Sequence, residues 1–122
     1  MSKLANSILV LITKPPYGFE EAFAGSRLAL SQISSGIVEK TSVLLVGDGT
    51  LNAIADQKPE AVRMPSNMEA LNDVVDMESK VYCVASDLEE RVGKVPTLDF
   101  VDMIDWDQAR QIINEHDMVT TF

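Results

Sequence analysis

Nearly continuous apolar runs alternate with amphipathic segments along this chain. The runs at residues 7–13, 41–46 and 80–84 are rich in Val, Leu and Ile and do not alternate with polar residues. Parallel strands that are buried on both faces have this pattern. A final β-prone run covers residues 118–122, and residues 92–103, which Pro96 interrupts, are predicted to be mostly extended.

Between these runs the apolar residues recur at helical spacing. An apolar stripe that starts at Phe19 predicts a helix, and Gly36 is a suitable C-terminal cap for it. Ser66 with Glu69 and Ser86 with Glu89 match the capping-box pattern of a helix N-terminus. The predicted helices begin at Phe19, Leu51, Ser66, Asp87 and Asp105, and the proline-flanked connector before Ser66 has room for a short strand at residues 61–63.

Strands that alternate with helices indicate an α/β fold with a parallel sheet covered on both faces. We therefore predict one domain over residues 1–122, a three-layer α/β/α sandwich with a mainly parallel five-stranded sheet. In such sheets the loops after the strands gather at one edge, where ligands bind. The exit loops expected there are residues 13–18, 47–50 and 83–87.

Composition narrows the class of protein. The formal net charge is −9, with 19 acidic and 10 basic residues, which argues against direct nucleic-acid binding through a basic face. The acidic excess serves solubility, or it steers a basic partner. No apolar run approaches the roughly 18 residues of a membrane span, and the N-terminus lacks a leader pattern. A single cysteine cannot form an internal disulfide, so we expect a reducing compartment, the cytoplasm.

Cys83 is the one candidate nucleophile. It is expected where a strand passes into a helix N-terminus, whose partial positive charge lowers a thiol pKa. Against this, Asp87, Glu89 and Glu90 disfavour a nearby anion. Free cysteines also pack as small buried hydrophobic residues. The residues alone therefore leave two alternatives, a reactive thiol or a core side chain.

The other candidate residues favour structural roles. Asp48 lies between two glycines, where it binds a metal, polarises a substrate or, more commonly, holds a tight turn. Residues 47–50 do not form a phosphate-binding loop, since the lysine and the length are wrong. His116 is the only histidine and lies far from the only cysteine in the sequence, so no metal site is predicted. No cofactor is predicted either. Pro16, Tyr17 and Gly18 suit a contact loop.

Five pieces in the right order resemble the DsrE/DsrF/DsrH sulfur-relay family, and specifically its DsrF/TusC-like branch. They cover nearly the whole chain. The pieces are the first strand leading into Pro16-Tyr17-Gly18, the second strand ending in Gly47-Asp48-Gly49, the run Gln57-Lys58-Pro59-Glu60-Ala61-Val62, Cys83-Val84-Ala85-Ser86 with Leu88 and Glu90-Arg91, and a final strand ending in Phe122.

This resemblance implies assembly with DsrE/TusD-like and DsrH/TusB-like subunits into a heterohexamer. Such a complex passes persulfide sulfur to a small DsrC/TusE-like carrier, for tRNA 2-thiouridine synthesis or for dissimilatory sulfur metabolism. Cys83 matches the family's sulfur-carrying position, although the DsrF/TusC subunit is mainly structural. The chain departs from the pattern at Asp87, which is an extra residue, and at Val92, where the family usually has glycine.

Two hypotheses follow. The first is a mainly structural subunit of a sulfur-relay complex, with Cys83 as a candidate persulfide carrier and with the site loops containing Pro16, Tyr17, Gly18, Asp48, Gly49 and Ser86 at one edge. The alternative is a stand-alone module, either a homo-oligomer or a flavodoxin-like protein that holds a small anionic ligand without thiol transfer. A sulfur carrier requires an exposed, reactive Cys83, whereas the structural and binding roles are compatible with a buried Cys83.

Overall fold

The computed structural model describes residues 6–17, 20–36 and 38–122, and in this part of the chain strands and helices alternate. Two 3₁₀ helices, Gly47–Ala53 and Pro59–Val62, connect the second strand to the second α-helix. The strands and α-helices are, in chain order, β1 (Ser7–Ile12), α1 (Glu21–Ser35), β2 (Lys40–Leu45), α2 (Asn67–Asp76), β3 (Lys80–Val84), α3 (Ala85–Val92), β4 (Val101–Ile104), α4 (Trp106–Glu115) and β5 (Met118–Thr121).

The five strands form one sheet in the order β4–β3–β2–β1–β5, and all four pairings are parallel. On one face, side chains such as Val10, Val43 and Val81 pack with α1 and α2. On the other face, Leu9 and Leu44 pack with apolar side chains of α4. The predicted α/β sandwich with a parallel five-stranded sheet is confirmed.

Several predicted helix termini are also confirmed, because local side chains satisfy the free backbone groups at helix ends. Gly36 has the left-handed conformation, with φ of 72°, and ends α1. The Ser66 hydroxyl accepts a hydrogen bond from the Glu69 N–H at the start of α2. Asp105 and Gln108 form a complete capping box at the start of α4.

The connector between β2 and α2 differs from the prediction. A helix was expected from Leu51, but the 3₁₀ helix already begins at Gly47. In place of the strand expected at residues 61–63, Ala61 and Val62 belong to the second 3₁₀ helix, and Arg63 is its C-cap. Pro59 favours a helical first turn, and the Ala61 N–H closes it by donating to the Lys58 carbonyl. The predicted helix start at Phe19 lies outside the described residues.

The helix after Cys83 also differs from the prediction. It begins at Ala85, directly after β3, and Val84 is its N-cap without any side-chain hydrogen bond, so the predicted Ser86–Glu89 capping box is wrong. Val92 belongs to this helix, and within the predicted extended segment the strand is limited to β4, which follows a turn at Asp99 and Phe100. The Leu98 N–H donates to the Ala53 carbonyl, which ties that segment to the first 3₁₀ helix.

Candidate functional site

The three predicted exit segments lie side by side, since β1, β2 and β3 are neighbours in the sheet. The Val46 N–H donates to the Ile12 carbonyl at 3.1 Å, and the first 3₁₀ helix then crosses the end of β1. A Cβ on Gly49 would lie 2.7 Å from the Ile12 carbonyl carbon. Glycine at position 49 is therefore what lets this helix cover the carboxyl edge of the sheet.

Cys83 lies at this edge, in β3, but its side chain is fully buried. It belongs to the core cluster on the α1–α2 face, together with Ile12, Leu45 and Ala53. Burial raises the pKa of the Cys83 thiol from 9.0 to about 12, and the nearby Asp87 carboxylate adds to the rise. At neutral pH the thiol is protonated, so desolvation outweighs the partial positive charge of the following helix.

Asp87 joins three parts of the carboxyl edge. One carboxylate oxygen accepts a hydrogen bond from the Gly47 N–H at 2.8 Å, and the other accepts one from the Trp106 indole N–H at 3.0 Å. The residue that looked like an insertion in the sequence therefore connects the end of β2, the first turn of α3 and the start of α4. Its partners are 40 and 19 positions away, so no local pattern indicates this role.

Asp48 forms an ion pair rather than a turn contact. Its carboxylate accepts a hydrogen bond from the Arg91 Nε–H at 2.7 Å, while another N–H of the same guanidinium donates to the Asp87 carbonyl at 2.9 Å. Asp48 does lie in a tight turn, the first turn of the 3₁₀ helix, and Arg91 draws its carboxylate towards α3. Among the described residues, no three His, Cys, Asp or Glu side chains come together as a metal site.

Tyr17 connects the loop after β1 to the residues after the first 3₁₀ helix. Its hydroxyl donates to the Gln57 side-chain oxygen at 2.7 Å. The Gln57 amide group in turn donates to the carbonyls of Asn52 and Ile54, each at 2.8 Å. Tyr17 has a φ of 56°, a left-handed conformation that a tyrosine seldom adopts. The contact loop predicted from the sequence is thus held by a specific side-chain bond.

Asn52 is the buried centre of this network. Its side-chain amide donates to the carbonyls of Lys14 at 3.1 Å and Gly49 at 2.9 Å. Its side-chain oxygen accepts from the Asn67 amide at 2.9 Å. Asn52 and Asn67 are 1% and 3% exposed, so the first turn of α2 is fixed to the exit of β1 by desolvated hydrogen bonds.

A cavity of about 230 Å³ lies beside this network, between the first turns of α1 and α2. Its walls are mostly apolar, and Cys83 is not among them. The lining residues are Glu20, Phe23, Ala24, Met64, Pro65 and Asn67. No local sequence pattern indicates this cavity, because its two walls are some 40 residues apart in the chain.

The remaining site predictions have mixed outcomes. Pro16 lies in the described part of the loop after β1, whereas Gly18 lies outside the described residues. Ser86 is exposed in the first turn of α3 and not in a loop. His116 ends α4 as expected, yet it is buried, and its Nδ1 lies 2.6 Å from the Ile112 carbonyl. Whether Cys83 carries sulfur stays a prediction.

Comparison with known proteins identifies relatives over most of the chain. The model of the DsrE/DsrF-like family matches residues 6–120. An uncharacterized protein of Methanocaldococcus jannaschii is 31% identical over 86 residues, which are 66% of this chain and 72% of that protein. An uncharacterized protein of Methanopyrus kandleri is 31% identical over 74 residues, 61% of this chain and 58% of that protein.

The fold matches a solved structure as well. The crystal structure of the YchN protein from E. coli superposes with a TM-score of 0.85 and covers 96% of this chain and 99% of its own. Sequence identity is 21%, so this likeness concerns the fold. In the part of the chain that the structure describes, every helix is too short or too polar to cross a membrane.

Proposed function

Because the chain belongs to the DsrE/DsrF-like family, we propose that it is a mainly structural subunit of a sulfur-relay complex. The sulfur-carrying thiol of that complex would belong to another subunit. One observation carries this proposal: the Cys83 side chain is fully buried and its thiol pKa is raised to about 12. Cys83 is a carrier only in a conformation that exposes it.

Sulfur transfer sets two requirements that the Cys83 environment opposes. The thiolate must attack the terminal sulfur of a donor persulfide, so that a new S–S bond forms on Cys83 while the donor S–S bond breaks and the donor leaves as a thiolate. With a pKa of about 12, only about one thiol in 10⁵ is ionised at pH 7. The attacking sulfur also needs open space in line with it, whereas Cys83 Sγ lies in the packed core.

A structural subunit requires partner subunits that carry out the sulfur transfer. We propose that DsrE/TusD-like and DsrH/TusB-like chains complete the complex and supply the reactive cysteine. A DsrC/TusE-like carrier would then accept the sulfur for tRNA thiolation or for dissimilatory sulfur metabolism. The exposed apolar side chains of Met118 and Val119 on the edge strand β5 support a role in assembly, because an open strand edge is a surface on which another chain can pair.

Intact-mass analysis after incubation with a persulfide donor tests the proposal. We expect the isolated chain and its Cys83→Ala variant to keep their masses, while a DsrE-like partner gains about 32 Da per sulfur. A gain on the wild-type chain that is absent in Cys83→Ala and lost on reduction would instead make Cys83 the carrier. Alkylation of the unfolded wild-type chain serves as the control that its thiol is not oxidised.

The cavity of about 230 Å³ supports a second candidate function, binding of a small ligand. The side-chain amide hydrogens of Asn52 are donated to two backbone carbonyls, and its side-chain oxygen accepts a hydrogen bond from the Asn67 side-chain amide. The Asn67 side-chain oxygen is therefore the acceptor that remains for a ligand. Together with Glu20 this favours an apolar molecule with an N–H donor. NMR titration should show that benzylamine, and not phenylacetate, shifts amides around Phe23 and Met64, and Ala24→Phe should abolish the effect. Tighter phenylacetate binding, or no shifts, would contradict it.

A further inference from the structure

Strand β5 is an edge strand, and the described residues of the chain cover its two faces only in part. Successive side chains of a strand point to opposite faces, so Met118 and Val119 lie on different sides of the sheet. They are 43% and 41% exposed, and Thr121 is exposed as well. Strands of parallel sheets are ordinarily covered by helices on both faces. The surface of β5 is therefore open at its outer edge and partly open on both faces.

The hydrogen bonds of Phe122 show which backbone groups of β5 face outwards. The Phe122 N–H donates to the Leu11 carbonyl at 2.8 Å, and the Phe122 carbonyl accepts from the Thr13 N–H at 2.7 Å. In a parallel pair, a residue directs both backbone groups to the same neighbour, and the next residue directs both to the other side. It follows that Thr120 faces β1, whereas Val119 and Thr121 direct their N–H and C=O groups outwards.

Strand β5 is short, at four residues, but it carries no charged side chain and no proline that would prevent strand pairing. Proteins protect edge strands with charged residues, proline or bulges, and β5 has the sequence Met-Val-Thr-Thr. The opposite edge, β4, carries Asp102, whose carboxylate lies 3.9 Å from Lys80 Nζ. The carboxylate before β5 is exposed but is directed towards the start of β1, because Asp117 accepts the Asn6 N–H at 2.8 Å. A neutral strip thus runs along one edge of a strongly acidic protein.

We propose that β5 pairs with β5 of a second copy of this chain. The two strands run antiparallel about a twofold axis at Thr120 and join the two sheets into one. In this register Val119 of each copy lies opposite Thr121 of the other, and the outward N–H and C=O groups of both residues are all paired. A register shifted by two residues leaves some of these groups unpaired, so the symmetric arrangement is the one that satisfies the strand.

Charge and side-chain chemistry favour a second copy over another occupant. Strand β5 has no charged side chain that would attract a basic or an acidic partner. Two copies of this chain, each with a net charge of −9, repel one another over most of their surface. The neutral strip is where two copies approach at the lowest electrostatic cost. Pairing also places β-branched residues opposite each other, Val119 against Thr121 on one face and Thr120 against Thr120 on the other.

Disulfide trapping tests this register. Two Thr120 residues on the axis form a pair without hydrogen bonds, with Cα atoms about 4.5 Å apart, which suits a disulfide. The full chain with Thr120→Cys, on a Cys83→Ala background, should form a covalent dimer with oxidised glutathione. The matched variant Thr121→Cys should stay monomeric, because its symmetry mates are more than about 7 Å apart. Equal cross-linking of both variants would overturn the register.

Light scattering after size-exclusion chromatography tests whether β5 is the surface through which two copies pair. The wild-type chain should be a dimer or a larger oligomer, and Val119→Lys should halve its mass. The matched control Val62→Lys changes a valine that is 55% exposed in the second 3₁₀ helix, and it should keep the wild-type mass. Circular dichroism of Val119→Lys verifies that this variant is folded.

The outcomes separate this inference from the proposed function on which it rests. If Val119→Lys keeps the wild-type mass, β5 is not the pairing surface, although the structural role stands. A second result is that the wild-type chain is monomeric alone and that the Thr120→Cys variant cross-links to a DsrE-like or DsrH-like chain. In that case β5 pairs with a related chain, and the proposal that it pairs with a second copy of this chain is wrong. If the wild-type chain is monomeric alone and in mixtures with those chains, both proposals fail.

Discussion

Gly49 lies against the main chain of Ile12 so closely that a Cβ at position 49 would be 2.7 Å from the Ile12 carbonyl carbon. The conformation of Gly49 is not left-handed, so this requirement is purely one of space. The contact positions the first 3₁₀ helix over the ends of β1 and β2, and it underlies the arrangement of the whole carboxyl edge.

Replacing Gly49 should therefore test that arrangement. We expect Gly49→Ala to lower the free energy of unfolding by about 2–4 kcal/mol, because the Ile12 backbone belongs to a central strand and cannot move away. Gly36→Ala is the control: Gly36 has a left-handed φ of 72° but open space around it, so its cost should be about 1 kcal/mol. Urea unfolding measures both, and a loss for Gly49→Ala no greater than that for Gly36→Ala would contradict the close contact.

The raised pKa of Cys83 predicts a dependence of stability on pH. Well below pH 9.0, the ordinary pKa of the thiol, the thiol is protonated in both the folded and the unfolded chain, so it adds no pH dependence to stability. Between about pH 9.0 and the folded pKa of about 12, only the unfolded chain loses the proton, which stabilises the unfolded state. Stability should fall with rising pH in this range, by up to about 1.4 kcal/mol per pH unit.

Cys83→Ala provides the comparison for this effect. Its free energy of unfolding should be lower than that of the wild type at pH 7, and the difference should shrink as the pH rises from about 9.0 to about 11. Other alkaline groups titrate in both proteins and cancel in the difference. A difference that is constant over this range would mean that the folded thiol ionises normally.

Removing the Asp87 carboxylate should loosen the carboxyl edge. Asp87→Ala deprives the Gly47 N–H and the Trp106 indole N–H of their acceptor, so we expect a loss of about 1–3 kcal/mol in the free energy of unfolding. Trp106 is the only tryptophan, so its indole N–H resonance reports the contact directly. Glu90→Ala, an exposed position in the same helix, is the control and should leave stability and this resonance unchanged.

Asn52 should be among the least replaceable polar residues. Its side chain makes three hydrogen bonds in a desolvated site, and Asn52→Ala leaves the Asn67 amide and the Lys14 carbonyl without this partner. We expect a loss of about 2–4 kcal/mol in urea unfolding. Asn72→Ala, at an exposed position in α2, should change stability by less than about 0.5 kcal/mol. Similar losses for the two variants would show that the network contributes little.

The sequence by itself determined the architecture. The apolar run of β1 and the apolar stretches within β2 and β3 predict strands buried on both faces, because such residues are stable only where helices cover them. Gly36, Ser66 and Asp105 marked helix ends through bonds that span a few residues. These features depend on neighbours in the chain, so local pattern is sufficient to predict them.

Only the tertiary structure decided the character of the site. The contacts of Asp87 with Gly47 and of Asp48 with Arg91 join residues 40 and 43 positions apart, and local spacing contains no information about them. The same holds for Cys83. Its sequence context at a strand-to-helix junction is compatible with a reactive thiol or with a core side chain, whereas its burial follows from how the 3₁₀ helix packs across the sheet edge. Because desolvation is set by the whole fold, the sequence left the state of this thiol open.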